Sequence, residues 1–237
     1  CSSDLRVVFM RDGEIKIITT SDGSHSLLNV TLNETYHSVH GAVQESAHVF
    51  VDNGLNYFIH RNSPKEISIL EIGFGTGLNA LMTLKAALNT GISVYYTTLE
   101  AFPITTTTAQ LLNYAQKLDF DNAHHYFEKL HNTVWEEEQL IEKNFSVKKL
   151  KQKIQDIDLS TSAFDIIYFD AFAPSKQPDM WTMIVLQKIE MAMKPGAIFV
   201  TYCAKGQLKR DLKSLGLMVE TLQGPPGKKE MVRAIKK

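Results

Sequence analysis

The segment Ile67-Ser68-Ile69-Leu70-Glu71-Ile72-Gly73-Phe74-Gly75-Thr76-Gly77-Leu78-Asn79 admits few folds. Its first half is a short apolar run of strand length. After it, Leu78, Leu81, Met82, Leu84 and Leu88 recur at helical spacing. Three alternating glycines between the two halves permit a sharp turn and the close approach of a ligand to bare backbone. A strand that runs into a helix through such a loop is the opening unit of a parallel sheet with crossover helices.

The remaining chain continues the alternation. Strands are predicted over residues 94–99, 145–150, 164–169 and 197–202, and helices over 104–118, 181–193 and 206–215, the second stopped by Lys194-Pro195-Gly196. Residues 217–222 and 230–235 can close as a hairpin across Gly224-Pro225-Pro226-Gly227. Residues 119–143 are polar and acidic and read as a connection. Ahead of the alternation, residues 6–9 and 15–18 read as a hairpin across Arg11-Asp12-Gly13, and residues 41–60 as helical stretches broken near Asn53-Gly54, with Asn62-Ser63-Pro64 as punctuation. The expected organisation is a small extension, residues 1–62, of hairpin and helix, followed by an α/β domain, residues 63–237. That domain is Rossmann-like, a mostly parallel seven-stranded sheet with helices on both faces. Ligands of such sheets lie at the carboxyl ends of the strands, so residues just after strands are the candidates.

Three such positions carry chemistry. The glycine spacing is G-x-G-x-G and not the G-x-G-x-x-G of dinucleotide sites. An acid two residues before the first glycine, Glu71, would repel a pyrophosphate but can accept from the ammonium of a methionyl group, which points to S-adenosyl-L-methionine (SAM). Gly73, Phe74, Gly75, Thr76, Gly77 and Asn79 complete that cofactor loop. Glu100 ends the second strand, where a carboxylate takes ribose hydroxyls. Asp170 ends the most hydrophobic strand, where partial desolvation suits a group that orients an amine or takes its proton. Trp181 reads as core. The histidines lack metal-ligand spacing, so no metal site is expected, and no nucleophile elbow or P-loop is present.

Charge bears on partners. The chain's net charge is −1, yet residues 205–237 hold nine Lys or Arg against three acids. A basic terminal segment of this kind suits a polyanion. Two cysteines, Cys1 and Cys203, cannot build a disulfide framework or a four-ligand zinc site, which fits a reducing, cytoplasmic setting. No apolar run has the length of a membrane span. Cys1-Ser2-Ser3 is read as a numbering boundary and not as a lipoprotein terminus.

Taken together, Glu71 to Asn79, Glu100-Ala101-Phe102-Pro103, and Phe169-Asp170-Ala171-Phe172-Ala173-Pro174 with Pro178-Asp179-Met180-Trp181 resemble the methyltransferase domain of the MnmC family. Ser38-Val39-His40-Gly41-Ala42, His48-Val49-Phe50 and Asn53-Gly54-Leu55 resemble its N-terminal extension, and Gly224-Pro225-Pro226-Gly227-Lys228-Lys229-Glu230-Met231 its C-terminal end. The resemblance implies a class I SAM-dependent methyltransferase fold and N-methylation of 5-aminomethyl-(2-thio)uridine at the tRNA wobble position. It implies Asp170 as the catalytic group, and Phe172, Pro174, Lys205, Arg210, Lys228 and Lys229 as contacts to the tRNA anticodon stem-loop. Because the chain stops at Lys237, it is expected to be the stand-alone form without a flavin oxidase domain, with a separate enzyme supplying the aminomethyl-uridine. The family's adenine-facing acid has no clear counterpart, and Gln152, Lys153 and Asp156 stand as candidates. The alternatives are an aminopropyltransferase or small-amine methyltransferase of the same fold, and a non-catalytic RNA-binding module. The glycine spacing disfavours an NAD-dependent dehydrogenase.

Overall fold

The computed structural model describes the backbone of residues 7–10 and 13–237 and side chains from residue 15 onward. Cys1 and the Arg11-Asp12 part of the expected turn lie outside the described residues. Strands β1 (Val7–Met10) and β2 (Gly13–Thr19) form the expected hairpin. They continue into β3 (His25–Asn29) and β4 (Glu34–Thr35), giving a four-stranded antiparallel sheet. Helix α1 (Ala42–Ser46), a π-helical stretch (Ala47–Asn56) and α2 (Tyr57–Asn62) follow without interruption.

The expected break near Asn53-Gly54 is therefore absent. A β-carbon on Gly54 would lie 3.1 Å from Tyr168 Cε1 and 3.2 Å from Val200 Cγ2, so this glycine serves close packing of the helix on the sheet. The helix ends about two turns later, where Ser63 takes a left-handed conformation (φ 46°).

Then come β5 (Glu66–Ile72), α3 (Leu78–Thr90), β6 (Ser93–Leu99), α4 (Thr106–Gln110), α5 (Tyr114–Leu118), α6 (Ala123–Asn132), β7 (Glu138–Glu142) and β8 (Phe145–Leu150). The chain closes with β9 (Phe164–Phe169), α7 (Met183–Ala192), β10 (Met193–Thr201), α8 (Gly206–Ser214), β11 (Met218–Gln223) and β12 (Glu230–Ile235). The main sheet has the order β11-β12-β10-β9-β5-β6-β8-β7. It contains the seven expected strands and an eighth, β7, which pairs antiparallel with β8 at the edge. β8, β6, β5, β9 and β10 run parallel, and the β11–β12 hairpin joins antiparallel.

The central strands are rich in apolar residues on both sides because both faces are covered. Ile69, Tyr168 and Val200 enter the core beneath the extension, α3 and α6. Leu70, Phe169 and Phe199 enter the opposite core beneath α7 and α8. The side-chain period of two thus divides each strand between two cores.

Three further expectations are corrected. Residues 104–118 form two short helices and not one. Asn113 lies between them, accepting from the His25 amide (2.7 Å) and donating to the Gly23 carbonyl (3.0 Å), so the helix yields to a clamp on the N-terminal sheet. Residues 119–143 are not mere connection. Tyr126, Phe127 and Leu130 give α6 a buried stripe within a polar composition. α7 ends at Ala192, just before Lys194-Pro195-Gly196 as expected, but the strand expected from residue 197 already starts at Met193, so these residues lie inside β10, at an irregularity in its pairing with β9. Trp181 belongs to a 3-10 turn, Pro178–Trp181, and packs on Phe169 at 4.8 Å between ring centroids, in the core as expected.

Candidate active site

The carboxyl ends of β6, β5 and β9 share one cavity of about 560 Å³. Neighbouring strands lie ~4.8 Å apart. Glu100 after β6 and Asp170 after β9 therefore flank the glycine loop at roughly two strand spacings, about 10 Å.

The loop is held from several sides. Gly73 (φ 96°) donates its amide to the Leu99 carbonyl (2.9 Å), and a β-carbon there would lie 2.6 Å from the Asp170 carbonyl oxygen. Gly75 (φ 49°) donates its amide to Glu100 Oε2 (2.9 Å), and its bare Cα faces the Tyr36 ring, 3.2 Å from a would-be β-carbon. The Thr76 carbonyl accepts from His131 Nε2 (3.1 Å), which also lies against Gly77. Burial pushes His131 down to about 4, so it stays neutral with its proton on Nε2. Phe74 is buried against His131 and Trp135. Gly77 thus supports the loop and does not line the cavity, whereas Gly73, Phe74, Gly75 and Thr76 do.

Glu100 accepts from two backbone amides, Gly75 and Phe102 (2.9 Å each). Burial pushes its carboxyl up, and those amides oppose the rise. Its position on the cavity wall, with carboxylate lone pairs beyond those two bonds, suits a vicinal diol.

Glu71 departs from expectation. It is fully buried, accepts from Thr98 Oγ1 (2.7 Å), and lies beneath the loop, outside the cavity wall. Its Oε1 is buried with no partner among the described residues. Burial holds its carboxyl at about 8. It forms the floor of the loop.

Asp170 lines the cavity. Its amide donates to the Ile72 carbonyl (3.0 Å), locking it to the glycine loop's strand, and Asn79 Nδ2 donates to its Oδ2 (2.8 Å). Ser46 Oγ donates to Asn79 Oδ1, which fixes the amide so that its NH2 faces Asp170. Burial first, then the negative charge of Glu45, raise the Asp170 carboxyl to about 7, against the opposing pull of Asn79 and Lys228.

The extension supplies one wall, which no residue pattern announced. Tyr36, His37 and Glu45 line the cavity, and Tyr36 meets Phe172 edge to face (5.1 Å). Opposite, Lys228 Nζ donates to Glu45 Oε1 and sits 3.8 Å over the Tyr202 ring. Lys228 is therefore part of the cavity wall and paired with Glu45. Phe172 is in the wall. Pro174, Lys205, Arg210 and Lys229 are not, and Arg210 is an exposed residue bonded to Gln207. Of the adenine candidates, Gln152 and Lys153 line the cavity and Asp156 does not, while Ile154 and Gln155 join the wall. Lys188 sets this turn by donating to the carbonyls of Ile154, Gln155 and Ile157 (2.9, 2.8 and 2.7 Å). No cluster of potential metal ligands occurs among the described residues, and none of their helices is long and apolar enough to cross a membrane.

A profile of S-adenosyl-L-methionine-dependent methyltransferases matches residues 116–237, and the chain belongs to that family. The sequence is similar to the tRNA 5-methylaminomethyl-2-thiouridine biosynthesis bifunctional proteins MnmC of Idiomarina loihiensis (27% identity over 86% of this chain and 36% of that protein) and Pseudoalteromonas atlantica (28%, 91% and 32%). The chain spans about a third of the length of these relatives. MnmC2 from Aquifex aeolicus superposes with a TM-score of 0.76 at 26% identity, covering 94% of this chain and 71% of that one. Spermidine synthase from Thermotoga maritima shares the fold, with a TM-score of 0.59 at 15% identity over 98% and 72%. The cofactor is SAM, and the residues fit it: Gly73, Phe74, Gly75, Thr76 and Asn79 of the loop and the Glu100 carboxylate line one cavity at the carboxyl ends of the strands.

Proposed function

We propose that this chain N-methylates the primary amine of 5-aminomethyl-(2-thio)uridine at the wobble position of tRNA. The observation that carries the reading is Asp170: a buried, oriented carboxyl in the wall of the SAM cavity, beside the glycine loop. The relatives' name supports it, because 5-methylaminomethyl differs from 5-aminomethyl by one N-methyl group. In this reading, residues 63–237 form the SAM domain, and residues 1–62 close the acceptor side.

SAM, when bound, supplies a methyl group on a positively charged sulfur. The chain's own residues handle the amine. An ammonium has no lone pair, so it must lose a proton before reacting. Asp170, held at about 7, accepts that proton near neutral pH, and a base matched to the operating pH is the effective one. Asn79 and Ser46 keep its carboxylate in one orientation, which supports alignment of the reacting groups. Tyr36 and Phe172 offer an aromatic wall to a base splayed from the anticodon stack. Lys205, Arg210 and Lys229, outside the cavity, would meet phosphates of the anticodon stem-loop. The aminomethyl substrate comes from a separate reaction that leaves a free amine on the uridine. Cytoplasmic tRNA is the expected target.

The test is transfer of label from methyl-labelled SAM to tRNA bearing 5-aminomethyl-2-thiouridine, run beside putrescine and spermidine. Label on tRNA alone supports the reading. Label on the polyamines alone, with none on tRNA, moves the activity to small amines.

A further inference from the structure

The turn that follows β8 presents one side chain that the fold leaves half-satisfied. β8 ends at Leu150, whose carbonyl accepts from the Glu100 amide (3.0 Å), so residues 151–157 leave the sheet beside Glu100. The turn is held firmly. Ile154 is buried in the core beneath α7, and the Lys188 ammonium of α7 binds three of the turn's carbonyls, that of Gln155 among them. Gln155 itself lines the cavity. Its Nε2 donates to the Asp179 carbonyl and to Asp179 Oδ2 (3.3 Å each), with the Met180 sulfur at 3.7 Å. Turned over, the amide would set its own oxygen against those acceptors, so one orientation is selected. In that orientation Oε1 is buried, with no hydrogen-bond partner among the described residues. Buried polar atoms are almost always paired, so an unpaired acceptor on a cavity-lining residue calls for a donor from the ligand.

The adenine of SAM carries such a donor, the amino group on carbon 6. The other side chains of the turn suit it less. Lys153 lines the cavity but has donors only, Ile154 has neither donor nor acceptor, and Asp156 lies outside the wall. Gln152 lines the cavity but is exposed. Asp179 is exposed as well, and its carboxylate already takes the Gln155 amide. We propose that Gln155 is the specificity residue for the cofactor's base: its Oε1 accepts from the 6-amino group of adenine, while Asp179 holds the amide in the receiving orientation. The assignment goes beyond the acceptor reading above and stands whichever amine takes the methyl. A neutral amide thereby recognises the base on a strand end where residues 151–153 offer no acid.

The test is calorimetry on the full chain with S-adenosyl-L-homocysteine and its 6-desamino analogue, in which hydrogen replaces the amino group and the ring nitrogens are kept. Neither readout depends on methyl transfer. Wild type should bind the adenosyl compound about tenfold more tightly, because the analogue leaves Oε1 unpaired. Gln155→Met keeps the side chain's length and removes the acceptor, so it should bind the two compounds within about twofold of each other. Its affinity for the adenosyl compound should fall to near that of wild type for the analogue. Wild-type affinities within about twofold of each other overturn the proposal, and that comparison decides alone if Gln155→Met does not fold. A preference that survives in Gln155→Met overturns it too, whether binding is unchanged or weakened toward both compounds alike. If Asp179→Ala then abolishes that preference, Asp179 and not Gln155 holds the amine.

Discussion

Replacing Gly73 with alanine tests how tightly the cofactor loop and the acid are built onto each other. The new methyl would sit 2.6 Å from the Asp170 carbonyl oxygen, so it needs about 0.8 Å more room to reach ordinary contact near 3.4 Å. That oxygen belongs to backbone between β9 and the Asp170 loop and cannot rotate aside. The φ of 96° adds strain on the order of 1–3 kcal/mol for a residue with a β-carbon. A globular domain with ~5–15 kcal/mol of stability survives this, so the variant should fold with a lowered Tm. Its catalytic geometry should not survive. A displacement near 1 Å between reacting groups can cost about a hundredfold, equivalent to roughly 2.7 kcal/mol of barrier. We expect SAM affinity to fall by about tenfold or more and kcat/KM by about a hundredfold. Calorimetry with SAM, circular dichroism and single-turnover methyl transfer would measure this. A Gly73→Ala protein with native circular dichroism, SAM affinity within about twofold and full rate would refute the close contact and the reasoning built on it.

Asp170→Asn should keep SAM binding and lower the methyl-transfer rate by about 10²–10⁴ at neutral pH, and an unchanged rate would remove Asp170 from proton transfer. Folded-state values of about 8 for Glu71 and about 7 for Asp170, against ordinary values of 4.5 and 3.8, mean the folded chain holds these protons more tightly than the unfolded one. Their contribution to stability is full below the ordinary values and is lost as pH rises through about 7 to 8. His37 and His131, both lowered from 6.5 to about 4, contribute above 6.5 and lose that contribution as pH falls toward 4. Glu71→Gln should therefore flatten the fall in Tm between about pH 5 and about pH 9, and an unaltered slope in differential scanning fluorimetry would contradict its buried titration. Lys205, Arg210 and Lys229 changed together to alanine should reduce the salt slope of tRNA binding by about one for each phosphate they neutralise, and filter binding showing no change would remove this surface from the interface.

The parallel sheet and its loop were legible because the strands β9 and β10 are largely apolar on both sides and Glu100 and Asp170 each directly follow a strand. Glu100 and Asp170 were found by that rule, and both line the cavity. Glu71 lies inside β5, one residue before its end, and points to Thr98, because a strand residue's side is set by its register and not by the motif it belongs to. The extension's share of the site was hidden. Tyr36, Glu45 and Ser46 reach the cofactor loop and Asp170 only through packing between distant segments, as in the Ser46–Asn79 bond. The pairing of Lys228 was hidden for a related reason. In a basic segment every lysine reads as solvated surface, and only the fold shows that this one faces a buried glutamate. The stripe of α6 was present in Tyr126, Phe127 and Leu130 but was outweighed by the polar composition around it.

The most direct measurement is mass spectrometry of nucleosides from tRNA carrying 5-aminomethyl-2-thiouridine after reaction with methyl-labelled SAM. Wild-type protein should put label into 5-methylaminomethyl-2-thiouridine, and Asp170→Asn should lose it almost completely. Label on another nucleoside, or equal yield from the Asp170→Asn protein, would contradict it.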